Sequence, residues 1–584
     1  MAQTQPPIIK VHQVYKVTPS QTTTTTTTLP LTYFDLLWTR LPPVERLFFY
    51  QLPNPTISFF DSLLPNLKHS LELTLQHFFP LAGNITWPHH SPIPIITYVP
   101  GHDSVPLTVS ESNEDFNHIS SDFCEVSKRR RLVPSLTISD EKTSLLALQI
   151  TLFPNSGFVI GITTHHAAAD GNCSTLFLKA WAYTCSKIIE NPSLSSLPSL
   201  LSLPENLRPF LDRSVIKDPN GGLTQSFADT WLNFNGPNNK SVKLWETNNS
   251  EAAQIVDTES VKRVFKLNPS HIEKLKNYGK SKTGTVKVST FSVTVAYCLS
   301  CLVKTEETEN EDVVLLFTVD CRSRLDPVIP PSYFGNCLLT RLVSVEKEKV
   351  MGKEGFVTVL KGISEVLIGL ESGVPNDEDK LMKKVESAVL EGKRIYSIAG
   401  SVRFGVYRID FGYGRPKNVD VASVDKTGAF ALSESRDGDG GVEIALTLKK
   451  RQMEAFSSLF YHQIQSFPIG QRLEAQLARG NPHCPTCTYR IPTCEELSQV
   501  VCRIIRWVNN LDLGQHQRRL HLRKGNSRHL WDSLSMSPNK PLHNSTQLVT
   551  ASECLAGTPP THSSEDSWKL RFGLVRKQVS GFLS

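Results

Sequence analysis

The feature of the sequence that most constrains its fold is a pair of short apolar runs followed at once by a long helical pattern. The chain reads SLLALQITLF, then the turn signal PNSG, then the rest of a second run, FVIGITTHH, which together predict a β-hairpin. After Asp170 and Gly171, apolar residues recur at helical spacing through CSTLFLKAWAYTCSKIIE. The pattern therefore places His165 and His166 at the end of a buried strand, and Asp170 where its carboxylate caps the following helix.

Both sides of this unit carry alternating helix and strand patterns, which predict an α/β protein. Upstream, Leu63, Leu64, Leu67 and Leu71 form one apolar helical face. Downstream, the sequence predicts the helix VSTFSVTVAYCLSCLVK, the strand VVLLFTVD, a charged helical region from about residue 354 to 395, and strands around VRFGVYRIDFGYG and GVEIALTLKK.

Changes in composition divide the chain into predicted segments. Residues 187–225 are rich in Pro, Ser, Leu and Gly, which is typical of a connection between domains. Near residue 460 the chain becomes basic and loses long periodic patterns apart from CEELSQVVCRIIRWVNNL. We therefore expect an N-terminal domain at 1–205, a crossover linker at 206–225, a C-terminal domain at 226–460 and an irregular basic tail at 461–584.

The net charge of +6 comes from the end of the chain. Residues 461–584 carry 15 basic and 8 acidic residues, which leaves 47 and 48 for the rest. A neutral body offers no broad basic face to phosphates, so the charge pattern disfavours nucleic-acid binding by the main fold.

Composition also indicates an ordinary globular protein of the cytosol. Hydrophobic residues make up 39% of the chain and charged residues 20%. No apolar run approaches the roughly 20 residues that cross a bilayer, and the start, MAQTQPPIIKVHQVYKV, lacks the pattern of a secretory leader. The 12 cysteines are scattered without a compact framework, so we expect reduced thiols rather than disulfides.

The first candidate for chemistry is His166, with Asp170 four residues later. A hydroxyl that attacks a thioester must lose its proton near the transition state, and a histidine is suited to accept it. Such a base contributes about 10²- to 10⁴-fold in rate. The alternative is that His166 is a satisfied polar residue at the end of a strand, because His-x-x-x-Asp alone is a weak pattern.

A second motif, DFGYG, is formed by Asp410, Phe411, Gly412, Tyr413 and Gly414. Its glycines allow backbone conformations that other residues avoid, so a tight turn is the plain interpretation. A kinase-type metal site is disfavoured, because the chain has neither a His-Arg-Asp loop nor a Gly-rich phosphate loop. No Gly-x-Ser-x-Gly elbow of a serine hydrolase is present either.

Taken together, HHAAADG, YFGNC and DFGYG resemble the BAHD family of plant acyltransferases. The likeness covers nearly all of residues 5–460 and includes LPLTYFDLLW, FPLAGNI, RSVIKDP, DCRSRLDP and GVEIALTLKK. Within that family the chain looks most like the flavonoid and phenolic glucoside malonyltransferases, which are anthocyanin acyltransferase-like. The family's usual tryptophan is replaced by Tyr413, which keeps an aromatic ring.

The resemblance implies an α/β fold of two domains, like chloramphenicol acetyltransferase, with a solvent channel between them. It implies a monomeric enzyme in which acyl-CoA, with malonyl-CoA as the expected donor, enters from one face and a phenolic glycoside from the other. It implies no cofactor beyond this co-substrate, no metal, no membrane and no nucleic acid. The substrate alternatives are acetyl or hydroxycinnamoyl donors and another alcohol as acceptor.

The same resemblance assigns roles to individual residues. His166 is the expected base. Asp170 is expected to point away from the substrate and to pair with Arg322 or Arg324, which supports the catalytic loop. The DFGYG motif is expected to lie away from the chemistry and to shape the fold and the CoA side.

Selection of a malonyl donor requires a cation, because an unpaired buried carboxylate costs several kcal/mol. Arg403 is the candidate for this cation, and Lys179 is a weaker one. The alternative for Arg403 is an ordinary surface pair or the cap of a strand.

The tail holds Cys484-Pro-Thr-Cys487, with Cys494, Cys502 and His483 nearby. A structural zinc site normally has two separated ligand pairs, and here only one tight pair exists, so the spacing does not support zinc. A binding protein that uses this tail is the alternative outside enzymes, and the intact His166 argues against it.

Overall fold

The computed structural model describes residues 9–20, 25–52, 58–195, 202–218, 221–234, 236–244, 259–284, 288–306, 312–370, 378–391 and 393–467. The cysteine-containing tail that the sequence predicts lies outside the described residues.

The strands of the described chain are short, and most are buried on at least one face. They are β1 (Ile9–Val17), β2 (Thr27–Pro30), β3 (Val44–Gln51), β4 (Asn84–Thr86), β5 (Ile95–Tyr98), β6 (Val105–Ser112), β7 (Phe123–Glu125), β8 (Lys142–Ser144), β9 (Leu146–Phe153), β10 (Gly157–Thr164), β11 (Ser260–Leu267), β12 (Asp312–Asp320), β13 (Leu338–Glu346), β14 (Ile395–Gly400), β15 (Asn418–Val421), β16 (Phe430–Glu434) and β17 (Val442–Lys449).

The helices pack on the sheets formed by these strands. They are α1 (Tyr33–Leu36), α2 (Leu64–His77), α3 (Phe116–Ile119), α4 (Val126–Arg130), α5 (Gly171–Glu190), α6 (Leu223–Asn233), α7 (Pro269–Thr283), α8 (Thr290–Val303), α9 (Lys347–Met351), α10 (Gly355–Gly369), α11 (Glu378–Leu390), α12 (Val424–Thr427) and α13 (Lys450–Ser466). Single helical turns precede α2, at Phe59–Leu63, and occur at Arg213–Val215, Arg322–Arg324 and Val406–Arg408 among other places.

The first sheet has six strands in the order β1, β6, β9, β10, β3, β15. The predicted hairpin is confirmed, since β9 and β10 pair antiparallel with Gly157 opposite Phe153. Side chains alternate between the faces: Phe48 and Tyr50 of β3 join the large core that contains α2 and α5, whereas its Leu47 and Phe49 join a smaller core. Both faces are therefore covered, and β10 is buried along its whole length.

The second sheet has seven strands in the order β13, β12, β14, β16, β17, β11, β7, and a third has β2, β5, β4 and β8. A separate core under the second sheet is built from α7, α8, α10 and α13. The predicted helix within residues 288–304 and the strand VVLLFTVD are confirmed as α8 and β12.

The two large sheets exchange edge strands. Strand β15, from the second half of the chain, pairs with β3 of the first sheet. Strand β7, from the first half, pairs with β11 of the second sheet. The predicted domain boundaries stay a prediction, but each large sheet draws one strand from the other side of the predicted linker.

One predicted strand is wrong. The segment at residues 401–414 forms turns and a short helix, Val406–Arg408, rather than a strand. It consists of a serine followed by VRFGVYRIDFGYG. Gly405, Gly412 and Gly414 have φ angles of 64°, 92° and 99°, which belong to the left-handed region and interrupt extended backbone. The apolar alternation of this segment therefore reflects packing of a turn.

The last described helix passes the predicted start of the tail. Helix α13 runs to Ser466, and Phe460, Ile464 and Phe467 are buried in the second core. The folded part therefore extends several residues beyond position 460. No helix in the described residues is long and apolar enough to cross a membrane.

Candidate active site

The candidate site is the loop between β10 and α5, and backbone contacts fix both of its ends. The amide of His165 donates to the carbonyl of Leu145 at 2.8 Å, which extends the hairpin by one bond. The amide of Ala168 then donates back to His165 O at 3.0 Å and turns the chain. Asp170 begins α5 by accepting the amide of Cys173 at 2.8 Å, as its position in the sequence predicts.

The two adjacent histidines have different surroundings. His165 is fully buried, and its Nδ1 accepts the amide of Ala167 at 3.2 Å. Burial, followed by the neighbouring His166, lowers the pKa of His165 to about 3. His166 is only partly buried, with its Nδ1 enclosed and without a hydrogen-bond partner in the described residues.

Burial lowers the pKa of His166 to about 4, while its own backbone, Asn336 and Asp35 act in the opposite direction. Its imidazole is therefore neutral near pH 7, which is the state that accepts a proton.

Asp170 faces Arg322 and the backbone that follows β12. Its Oδ2 lies 2.8 Å from an Nη of Arg322 and accepts the amide of Cys337 at 3.2 Å. Burial raises the pKa of Asp170, and Arg322 opposes this. Of the two arginines that the resemblance suggested, Arg322 is buried against Asp170, whereas Arg324 is exposed and donates to the carbonyl of Asp320.

Sequence reasoning missed a second carboxylate beneath the same loop. Asp35 is fully buried, and its Oδ2 lies 2.6 Å from an Nη of Arg213. Its Oδ1 accepts both the backbone amide and the side-chain amide of Asn336, at 2.8 and 3.0 Å. The same Nδ2 of Asn336 also lies 2.9 Å from the carbonyl of His166. The motifs LPLTYFDLLW, RSVIKDP and YFGNC belong to the resemblance to the BAHD family, but no sequence pattern indicates that they meet.

Trp38 is the other missed residue. Its indole ring lies parallel to the imidazole of His166, with 3.8 Å between ring centroids and 7° between the planes. Its Nε1 is enclosed and has no hydrogen-bond partner among the residues that the structure describes. Only its place in LPLTYFDLLW could have drawn attention to it.

Of the predicted donor-binding residues, Lys179 lies within α5 and Arg403 lies on a segment that touches the start of α5. Arg403 is exposed, and its neighbour Phe404 packs against Gly171, so closely that a Cβ at Gly171 would meet the Phe404 ring at 2.5 Å. Lys179 is partly buried on α5, and burial, followed by the charge of Arg408, lowers its pKa. The segment that carries Arg403 therefore contacts the start of α5.

The DFGYG motif forms a tight turn at the other end of α5. Asp410 Oδ1 accepts the amides of Gly412 and Gly414 at 2.8 and 2.9 Å. A Cβ at Gly412 would meet Ile189 at 2.7 Å, a position about 27 Å along α5 from Gly171. The ring of Phe411 packs edge-on against Trp181. The motif therefore supports the fold at a distance from His166.

One group of side chains in the described residues has the spacing of a metal site: His118, Cys124 and Glu125. Nε2 of His118 already lies 2.6 Å from a carboxylate oxygen of Glu125, and Lys128 lies 3.4 Å from that oxygen. Burial raises the pKa of Cys124 to about 11, so the thiol keeps its proton. The group is explained by its own hydrogen bonds and does not indicate a metal.

Comparison with known proteins decides the family. The sequence model of the Transferase family matches residues 8–463. Malonyl-CoA:anthocyanidin 5-O-glucoside-6''-O-malonyltransferase of Arabidopsis thaliana is 37% identical over 465 residues, which cover 77% of this chain and 97% of the relative. The chain belongs to the BAHD transferase family.

The names of other BAHD relatives specify different acyl groups and different acceptors. Phenolic glucoside malonyltransferase 1 of Arabidopsis thaliana is 37% identical over 78% of this chain and 98% of its own length. Agmatine coumaroyltransferase of the same plant is 34% identical over 78% of this chain and 98% of its own length. The BAHD chain is thus an acyltransferase with acyl-CoA as co-substrate, and the prediction of the family is confirmed.

The solved structure of vinorine synthase shows the same fold. It is 20% identical, covers 77% of this chain and 96% of the other, and gives a TM-score of 0.56. The predicted fold class, the α/β architecture of BAHD enzymes that resembles chloramphenicol acetyltransferase, is therefore confirmed.

Proposed function

We propose that the chain transfers a malonyl group from malonyl-CoA to a sugar hydroxyl of a phenolic or flavonoid glucoside, with His166 as the general base. The observation that carries this proposal is the neutral, partly exposed imidazole of His166 at the end of β10, in a BAHD chain. Two relatives of similar identity whose names specify malonyl transfer to glucosides support the choice of donor and acceptor.

The chemistry needs only one proton acceptor from the protein. Because Nδ1 of His166 is enclosed, Nε2 is the nitrogen left to meet the acceptor hydroxyl. Nε2 takes the hydroxyl proton while the oxygen attacks the thioester carbon, and the C–S bond then breaks. The imidazolium returns the proton to the departing CoA thiolate, which leaves an ester, free CoA and neutral His166.

Asp170 supports this loop rather than relaying the proton. Its carboxylate is engaged by Arg322 and by the amides of Cys173 and Cys337. These contacts hold the start of α5 against the segment after β12. Its role in the proposal is to keep the backbone on both sides of His166 in place.

Arg403 is the proposed partner of the free malonyl carboxylate. It is exposed and forms no ion pair within the described residues, while the adjacent Phe404 touches the start of α5. A cation without a fixed partner, close to the catalytic loop, is available for a ligand carboxylate. We further propose that the enzyme works as a monomer in the cytosol.

The test measures release of free CoA by the full chain with malonyl-, acetyl- and p-coumaroyl-CoA and a panel of phenolic glucosides. We expect turnover that depends on malonyl-CoA and falls about 10²- to 10⁴-fold in His166→Ala. His69→Ala, which changes a half-buried histidine on α2, is the matched control and should keep its activity.

Two results would contradict the proposal in different ways. Faster turnover with p-coumaroyl-CoA and an amine or another alcohol would replace the donor and acceptor and keep the base, in line with the agmatine coumaroyltransferase relative. Absence of turnover by the folded full chain across the panel would favour the binding-protein alternative.

A further inference from the structure

Trp38 and His166 form a parallel ring stack although 128 positions separate them in the sequence. Their centroids are 3.8 Å apart and their planes differ by 7°. This separation brings the electron-rich face of the indole against the full surface of the imidazole. An indole face attracts a cation, and tryptophan does so best among the aromatic residues. The stack therefore favours the protonated form of the imidazole.

One buried residue, Asp35, is linked to the backbone beside both members of the stack. Asp35 closes the turn that carries Trp38: its Oδ2 accepts from the backbone and the hydroxyl of Thr32, and the amide of Trp38 donates to Asp35 O at 3.0 Å. Through Asn336 the same carboxylate reaches the carbonyl of His166. The backbone beside each ring is thus tied to one buried, ion-paired residue.

The enclosed nitrogen of the imidazole has no hydrogen bond to orient it in the described structure. The orientation of a catalytic histidine is usually set by the bond that its second ring nitrogen makes. Here Nδ1 of His166 has no partner among the described residues, and neither has Nε1 of Trp38. Beside the side chain of Asn336, the flat contact between the rings constrains the plane of the imidazole.

We propose that Trp38 is a positioning residue whose indole face holds the plane of the His166 imidazole and stabilises the imidazolium formed when the acceptor proton is taken. The inference rests on the proposed role of His166 as base. It adds a requirement that the catalytic motif does not contain: an aromatic face supplied by the segment after α1.

The charged groups around His166 determine the direction of the expected effect. Asp35, which packs from α1, favours the imidazolium, whereas burial disfavours it. His165 adjoins it on the chain and is itself held neutral by burial. Asn336, the neighbour from the segment before β13, is uncharged, and its side chain also favours the imidazolium. Loss of the indole face removes one of the few contributions that favour the imidazolium.

The experiment compares Trp38→Phe and Trp38→Leu in the full chain, with kcat, KM and the pH dependence of kcat/KM as readouts. In Trp38→Leu we expect kcat to fall about 10- to 100-fold with KM for acyl-CoA little changed, because the base loses its orientation. Because activity requires neutral His166, the acidic limb of the kcat/KM profile should move to lower pH by about half a unit or more in this variant. Trp38→Phe keeps a ring face and should restore most of kcat.

Trp87→Leu is the matched control. Trp87 lies in the same core and also has an enclosed indole nitrogen without a partner in the described residues, but no stack joins it to His166. It should lose stability and keep kcat per folded molecule and the pH profile.

Each of three outcomes would overturn the role of Trp38. The first is equal loss in Trp38→Phe and Trp38→Leu, which would assign the effect to the indole N–H. The second is an unchanged kcat and acidic limb in Trp38→Leu. The third is the same kinetic change in Trp87→Leu. Full activity of His166→Ala would instead remove the proposed base itself, so the two failures are distinguishable.

Discussion

Two buried ion clusters connect distant parts of the chain, and they serve different parts of the molecule. The loop cluster consists of Asp35, Arg213, Asp170 and Arg322. The strand-exchange cluster consists of Arg129, Lys262, Asp420 and Asp425. In both, the paired side chains are at most 5% exposed, and two acids face two bases.

The difference lies in what else the carboxylates hold. In the loop cluster they accept backbone amides at the start of α5 and before β13, and so they fix the loop that carries His166. In the strand-exchange cluster Lys262 of β11 contacts Asp420 of β15 and Asp425 of α12, while Arg129 of α4 lies 3.2 Å from Asp420. The same chemistry holds the loop that carries His166 in one place and the exchanged strands in the other.

The largest effect is expected when Lys262 is replaced by methionine. Asp420 and Asp425 would then be buried with only Arg129 to balance them, which costs about 3 to 5 kcal/mol of unfolding free energy. The specific activity of molecules that remain folded should not change. Urea unfolding followed by activity per folded molecule checks both parts.

Lys266→Met is the control, because Lys266 pairs with acids at a partly exposed position. It should cost less than about 1 kcal/mol. A Lys262→Met protein that is fully stable but inactive would reverse the comparison between the clusters.

Asp170→Asn is expected to affect both stability and activity. It keeps the shape of the side chain and leaves Arg322 without its buried counter-charge, at a cost of roughly 3 kcal/mol. Activity per folded molecule should fall about tenfold or more, because the backbone beside His166 loses its anchor. Unfolding curves and kcat measured on the same preparation would show whether stability and activity are lost together. A loss of stability without a loss of kcat would make the loop cluster equivalent to the strand-exchange cluster.

His165, which adjoins the loop cluster on the chain, is expected to make the free energy of unfolding depend on acid by about 2 kcal/mol. The pKa of His165 is about 3 when folded, below the usual value near 6.5, so the unfolded chain binds a proton that the folded chain does not. The stability from this group is complete above pH 6.5 and falls as the pH drops toward 3, by about 2 kcal/mol between pH 7 and 5. His165→Gln should remove this part of the pH dependence of unfolding.

The strand-exchange cluster is expected to lose no stability over the same range. Burial raises the pKa of Asp425, and a carboxylate that protonates more readily in the folded chain gains rather than loses stability as the pH falls. Burial alone would raise the pKa of Asp420, but Lys262 and Arg129 hold it below its usual value. Stability from a carboxylate of this kind is present above the unfolded pKa and is lost only as the pH falls through the lower folded one. If Lys262→Met abolished the loss between pH 7 and 5, the assignment to His165 would be wrong.

The smallest effect on stability is expected at Arg403, outside both clusters. Because its side chain is exposed and forms no ion pair in the described structure, Arg403→Gln should change unfolding by no more than about 0.5 kcal/mol. The proposed donor contact predicts instead that kcat/KM for malonyl-CoA falls about tenfold or more, while that for acetyl-CoA is kept. Arg451→Gln, an exposed arginine on α13, is the control for both measurements.

Local patterns predicted the elements that carry the site. Strand β10, the turn before it and helix α5 follow from apolar spacing and turn residues that are adjacent in the chain. The cap by Asp170 follows for the same reason, since it satisfies amides only three residues away. The failure at residues 401–414 has a local cause too: apolar alternation suggested a strand, and glycines with positive φ made turns.

The sequence by itself therefore determined the strand, loop and helix around His166, and its motifs determined the family. The tertiary structure decided which side chains complete the site. Asp35 and Trp38 precede strand β3. The other side chains lie well after strand β10 in the sequence: Arg213, Arg322 and Asn336. Contacts across such separations depend on how sheets and helices pack, and no periodicity or short spacing along the chain encodes that packing.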